Sequence, residues 1–128
     1  MATYLLDTSV IIDVLNNKRG RRDLLLGLVR QGHLLACCPI NITEVYAGMR
    51  PKEEAATEEF LRSLEYYHLT WPVARLAGLL KRDHAHKGTT LPDATIAAVA
   101  LVHELTLLTD NAKDFPMKNL VLYTMPNA

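Results

Sequence analysis

No apolar stretch in this chain is long, and nearly every one is followed by a segment with helical periodicity; that alternation leaves few folds open. Residues 4–6, 34–38, 105–109 and 120–123 read as short buried strands, with 67–69 a weaker candidate. Between them lie helical patterns. Residues 10–15 follow Ser9, a candidate N-cap, and Leu24, Leu25, Leu28 and Val29 share one helical face ahead of Gly32. Pro39 stops the second strand, and Ile42, Val45, Tyr46 and Met49 then fit a helix limited by Gly48 and Pro51. Helices are also expected over 53–64, 73–81 and 90–103. The expected fold is α/β, a three-layer domain spanning 1–128 with a roughly five-stranded, mostly parallel sheet flanked by helices. Trp71, before Pro72, reads as a packing residue.

Ligands of such sheets bind outside the carboxyl ends of the strands. Asp7 directly follows the first strand, and Glu44 is expected in the first turn of the helix after the second. Asp93 opens a long apolar helix that only His103 and Glu104 separate from the strand at Leu105. A helix joined so tightly must run antiparallel to its strand. Eleven helical residues rise about 16 Å and five strand residues about as much, so Asp93 returns to the carboxyl edge. Asp110, Asn111 and Asp114 follow that strand. Carboxylates so close together repel until one is protonated or a cation binds, and hard oxygen donors without a Cys/His set of zinc spacing select Mg²⁺ or Mn²⁺. Each acid also has a local reading. Asn41 with Glu44, and Thr90 with Asp93, have capping-box spacing, and Asp110 and Asp114 suit turns. The convergence of separate segments, and the cost of an unpaired charge beside Leu5 and Leu6, favour the shared site.

The formal net charge is zero. A nucleic-acid binder usually carries a basic surplus, so any such role requires local segregation of charge. The adjacent Cys37 and Cys38 cannot form a disulfide framework, and in a strand they point to opposite faces, at least one as a small buried hydrophobe. Asp7 interrupts the first apolar run, and no run has the length of a bilayer span, so no signal peptide or membrane association is expected and the cytoplasm is the expected compartment.

Four stretches, taken in order, resemble a known family: Tyr4-Leu5-Leu6-Asp7-Thr8-Ser9-Val10-Ile11-Ile12, Ile42-Thr43-Glu44-Val45-Tyr46-Ala47-Gly48, Asp93-Ala94-Thr95-Ile96-Ala97-Ala98, and Leu107-Leu108-Thr109-Asp110-Asn111-Ala112-Lys113-Asp114-Phe115. They are similar to the PIN-domain proteins, specifically the VapC-type toxin ribonucleases of VapBC toxin–antitoxin systems. The resemblance implies Mg²⁺- or Mn²⁺-dependent cleavage of RNA, homodimerisation, inhibition by a cognate VapB antitoxin, and contact with DNA only through that antitoxin. It matches Asp7, Glu44 and Asp93 to the three family acids and Asp114 to the variable fourth, with Asp110 the alternative and Asn111 a neutral neighbour. Asp7 and Asp93 are then expected to hold the metal, Asp114 to assist, Glu44 to orient or deprotonate the attacking water, and Thr8, Ser9 or Asn111 to donate hydrogen bonds.

The basic run Lys18, Arg19, Arg21 and Arg22 suits a solvated loop and is also the first candidate for tracking an RNA backbone. Arg75, Lys81, Arg82, His84, His86 and Lys87 form a second basic zone, with a polar helix end as its plain reading. The apolar residues of 24–29 and 55–64 are core candidates that also suit reception of an antitoxin helix. A receiver domain lacks its phosphoacceptor here, because Thr70-Trp71-Pro72 follows the third strand candidate. A haloacid-dehalogenase-type phosphatase would need Asp where Ser9 stands. The remaining alternative is a catalytically silent PIN-like module that binds RNA or a protein.

Overall fold

A computed structural model describes residues 1–125. Five strands form one sheet, β1 (Thr3–Leu6), β2 (Leu34–Cys37), β3 (Glu65–Tyr66), β4 (Thr106–Thr109) and β5 (Leu122–Thr124), in the order β3-β2-β1-β4-β5. Every pairing is parallel. Helices α1 (Thr8–Leu15), α2 (Arg21–Arg30), α3 (Pro39–Gly48), α4 (Glu54–Arg62), α5 (Trp71–Asp83) and α6 (Leu91–His103) complete the chain. They pack on both sides, as an all-parallel sheet requires.

Alternate side chains of a strand face opposite sides, and two cores result. Leu5, Ala36 and Leu107 meet Val73 and Ala77 of α5 and Ile96 of α6. Leu6, Cys37 and Leu108 meet Val10 and Val14 of α1, Leu25 of α2 and Leu61 of α4. Cys37 and Cys38 therefore part company as the sequence implies: both are fully buried, one in each core, and both are free thiols. Burial drives both thiols upward, Cys37 to about 11, so neither is nucleophilic at neutral pH. The middle of α6, residues 94–100, is buried on all sides, and its Ala94, Ala97, Ala98 and Ala100 are small enough to let α5 pack closely.

Several boundaries differ from expectation. The third strand is Glu65–Tyr66 rather than 67–69. It is a two-residue edge strand set by hydrogen bonding to β2, and the ladder ends where the Tyr67 N–H donates to the Cys37 carbonyl at 2.9 Å. Helix α3 begins at Pro39, with Cys38 as N-cap, so Glu44 falls in the second turn and is no capping partner of Asn41. Asp7 rather than Ser9 caps α1. Trp71 does not pack: its side chain is 82% exposed at the start of α5.

The strand order reverses at β1, with β2 following on one side and β4 on the other. The crevice outside the carboxyl ends of β1 and β4 is the place where such sheets bind ligands.

Candidate active site

The β1–β4 ladder fixes the centre of this crevice. The Asp7 N–H donates to the Leu108 carbonyl at 2.9 Å, so Asp7 is held as firmly as the strand that delivers it. Its side chain turns back to cap α1, Oδ1 accepting from the Thr8 N–H at 2.8 Å. Oδ2 accepts from the Thr109 hydroxyl at 2.8 Å and, at a longer 3.5 Å, from the Ser9 hydroxyl. Asp7 is only 7% exposed. Burial pushes its carboxyl up to about 6; the hydrogen bond from Thr109 opposes this, the negative charges of Asp93 and Asp110 add to it, and the Thr8 N–H opposes it again.

Glu44 is set by a buried relay. Asn41, fully buried, accepts from the Cys38 N–H at 2.9 Å and donates to the Leu6 carbonyl at 3.1 Å and the Thr8 hydroxyl at 3.0 Å. The Thr8 hydroxyl in turn donates to Glu44 Oε1 at 2.7 Å. Asp93 sits in the first turn of α6, where its N–H donates to the Thr90 hydroxyl at 3.3 Å. Burial raises the Asp93 carboxyl, a hydrogen bond with Thr90 opposes the rise, and the charges of Asp114 and Glu44 push it further up. Asp114 ends a single 3₁₀ turn, Ala112–Asp114, after β4. Asp93 thus feels the charges of Asp114 and Glu44, and Asp7 feels that of Asp93: the four acids share one electrostatic neighbourhood.

Asp110, whose charge also reaches Asp7, differs from these four in being paired with cations. Its Oδ1 accepts from the Ser9 hydroxyl at 3.0 Å, and its Oδ2 lies 3.1 Å from Arg19 Nη1 and 3.5 Å from Arg21 Nη2. Two guanidinium groups compensate its charge, which leaves Asp114 the freer of the two candidate fourth acids. The Asn111 N–H donates to the Thr109 hydroxyl at 2.9 Å, completing that residue's bonding.

The basic run divides. Arg21 opens α2 and is 2% exposed, turned inward toward Asp110 and Asp13. Arg22 donates to the Val14 and Leu15 carbonyls, closing the end of α1. Arg21 is thus withdrawn from solvent, whereas Lys18 and Arg19 in the loop before α2, and Arg22 at the start of the helix, are exposed. Thr109, which the motifs leave without a role, and Asn41, expected only as a helix cap, both belong to the site. Both are buried polar side chains inside otherwise apolar segments, which is the signal that marks them.

Among the described residues, no three acidic, histidine or cysteine side chains close into a metal cage. The acids meet instead as an open, oxygen-only edge. Such an edge suits a cation that keeps most of its water and takes one or two carboxylates directly.

Three comparisons bear on this arrangement. The PIN domain family model matches residues 4–117. Ribonuclease VapC19 of Mycobacterium tuberculosis is 35% identical over 115 residues, covering 88% of this chain and 92% of the relative. Ribonuclease VapC10 of the same organism is 34% identical over 115 residues, covering 88% and 86%. Among solved structures, VapBC2 from Rickettsia felis, bound to a DNA fragment from its promoter, superposes with a TM-score of 0.84 at 23% identity over 97% of this chain and 99% of that one. A toxin–antitoxin complex from Klebsiella pneumoniae gives 0.78 at 27% identity over 95% and 99%. With its parallel five-stranded sheet and the acidic crevice at the switch point of the strand order, the chain belongs to the PIN-domain family and, within it, to the VapC group.

Proposed function

We propose that this protein is a Mg²⁺- or Mn²⁺-dependent endoribonuclease, the toxin of a VapBC-type toxin–antitoxin module, hydrolysing RNA phosphodiester bonds with an activated water. The observation that carries the reading is the meeting of Asp7, Glu44, Asp93 and Asp114 from four separate segments, with the carboxyls of Asp7 and Asp93 raised by burial and by their neighbours' charges. Relatives named ribonuclease support it. Asp7 and Asp93 would hold the ion directly, with Asp114 assisting through water or at a second ion. A bound divalent ion would supply a coordinated water of lowered pKa and positive charge against the phosphate. Glu44, held by the Thr8 hydroxyl, orients the attacking water or takes its proton. Thr8, Ser9 and Thr109 keep the carboxylates aimed while their charge is in use.

The partner reading rests on a groove of about 600 Å³ between α2 and α4, lined among others by Leu25, Leu26, Val29, Phe60 and Leu64. Leu26 and Val29 stand about half exposed there, at 49% and 50%. An amphipathic helix of a VapB antitoxin would fill such a groove. The similar structure from Rickettsia felis is a VapBC2 complex bound to a DNA fragment from its promoter. We assign DNA contact to the antitoxin, a homodimer to this chain, and the cytoplasm to both. Among the described residues no helix is long and apolar enough to cross a membrane.

The open spacing of the acids is the one observation that favours a catalytically silent binding module instead. Incubation of the purified chain with single-stranded RNA separates the two. Cleavage that requires Mg²⁺ or Mn²⁺, stops with chelator and is lost in Asp93→Asn supports the nuclease. Undiminished cleavage by Asp93→Asn, or antitoxin binding with no metal-stimulated cleavage, overturns it.

A further inference from the structure

Beside the acids lies a second, polar cavity of about 730 Å³, walled by α1, the loop before α2, the turn after β4 and the end of β5. Ser9 joins it to the acidic crevice, its hydroxyl lying 3.5 Å from Asp7 Oδ2 and 3.0 Å from Asp110 Oδ1. Two carboxylates, Asp13 and Asp110, line this cavity, and both are matched. Arg19 and Arg21 reach Asp110 at 3.1 and 3.5 Å and Asp13 at 4.0 and 3.9 Å. Lys18 and Lys113 also line the cavity, are exposed, and have no acidic partner within ion-pair distance among the described residues. The surplus charge of this cavity is therefore positive, in a chain whose formal net charge is zero. That is the local segregation which nucleic-acid binding requires.

The loop that supplies the cations is pinned. The Lys18 N–H donates to the Asp13 carbonyl at 2.8 Å and the Arg21 N–H to the Lys18 carbonyl at 3.2 Å. Asn17 and Arg19 adopt left-handed backbone with φ of 52° and 58°; Asn tolerates this locally, whereas Arg19 holds it against its usual preference. Arg19 is thereby placed over Asp110 with its side chain still 47% exposed, which leaves it room to meet a second anion.

We propose that this cavity is the subsite for the RNA strand flanking the bond to be cut, gripping its phosphodiester backbone through Lys18, Lys113 and the outer face of Arg19. The proposal rests on the ribonuclease reading above and adds the path of the substrate. The strand runs from the acidic crevice past Ser9 and over the end of β5. Phosphate contacts of this kind fix register without reading sequence, so the subsite sets affinity and salt dependence rather than base choice.

The test is single-turnover cleavage of an end-labelled single-stranded RNA in Mg²⁺, titrated with protein at a series of NaCl concentrations. Lys18→Ala/Lys113→Ala is compared with the unmodified chain and with Lys52→Ala/Lys118→Ala, which removes two exposed lysines outside the cavity. Each lost contact to a single strand flattens the log–log salt slope of half-saturation by about 0.7. The cavity variant is expected to lose about 1.4 of slope, and the control variant none. An unchanged slope in the cavity variant, or an equal loss in the control, overturns the subsite while leaving the nuclease intact. Failure of the unmodified chain to bind or cleave RNA would overturn the ribonuclease reading, and the subsite with it.

Discussion

Replacing Asp7 by Asn should destroy activity and make the metal-free protein more stable. Burial and neighbouring charge raise the Asp7 carboxyl from 3.8 to about 6. Between those values the native state keeps a proton that the unfolded chain has released, so stability falls as pH rises through this window and stays lower above it. At about 1.4 kcal/mol for each tenfold change in proton affinity, the ionised Asp7 costs the metal-free fold about 3 kcal/mol at neutral pH. Asn cannot ionise. It remains a good N-cap for α1 and keeps the bond from the Thr8 N–H. Its amide nitrogen would face the Thr109 hydroxyl, which now donates to Oδ2 and already accepts from Asn111, and that mismatch returns about 1 kcal/mol. The net expectation is about 2 kcal/mol of added stability near neutral pH, a rise in Tm of roughly 5–10 °C for a chain of this size. Urea unfolding followed by circular dichroism in excess chelator measures it. The difference should shrink below about pH 4, where both proteins are neutral at this position. It should also shrink in Mg²⁺, because an ion that binds only the folded parent stabilises it. A variant no more stable than its parent at neutral pH in chelator, or one whose advantage persists at low pH, refutes the argument.

Two other perturbations test the site and the groove. Thr8→Val removes the hydroxyl that holds Glu44 Oε1 at 2.7 Å; cleavage should slow about tenfold, Thr8→Ser should restore it, and equal rates for all three would show that Glu44 needs no such support. Leu26→Asp/Val29→Asp should weaken association with a VapB-type antitoxin by about a hundredfold in calorimetry while leaving RNA cleavage unchanged, and unaltered affinity would move the antitoxin to another surface.

Much of the arrangement is written locally in the chain. The strands at the centre of the sheet are short apolar runs, and the tight joint between α6 and β4 returns Asp93 to the edge by geometry alone. What escapes is what tertiary structure decides. β3 is a two-residue edge strand whose position is set by β2 rather than by its own residues. The start of α3 moves forward because Asn41, read as a cap, is instead a buried brace between Cys38, Leu6 and Thr8. Arg21 has the sequence context of a surface cation, yet Asp13 and Asp110, eight and 89 residues away, draw it inside. Trp71 shows the reverse: a residue type that usually packs is left almost wholly in solvent.

β1 is hydrogen-bonded on both flanks and sends Leu5 and Leu6 to opposite cores. A slip of one residue would exchange those two side chains and carry Asp7 off the edge. The anchoring acid of the crevice thus shares the opening cost of the whole molecule, while Asp114 rides on a single 3₁₀ turn outside the sheet. The Asp7 N–H should therefore exchange with solvent only when the whole molecule opens, and the Asp114 N–H, bonded within its own turn to the Asn111 carbonyl, through local opening alone.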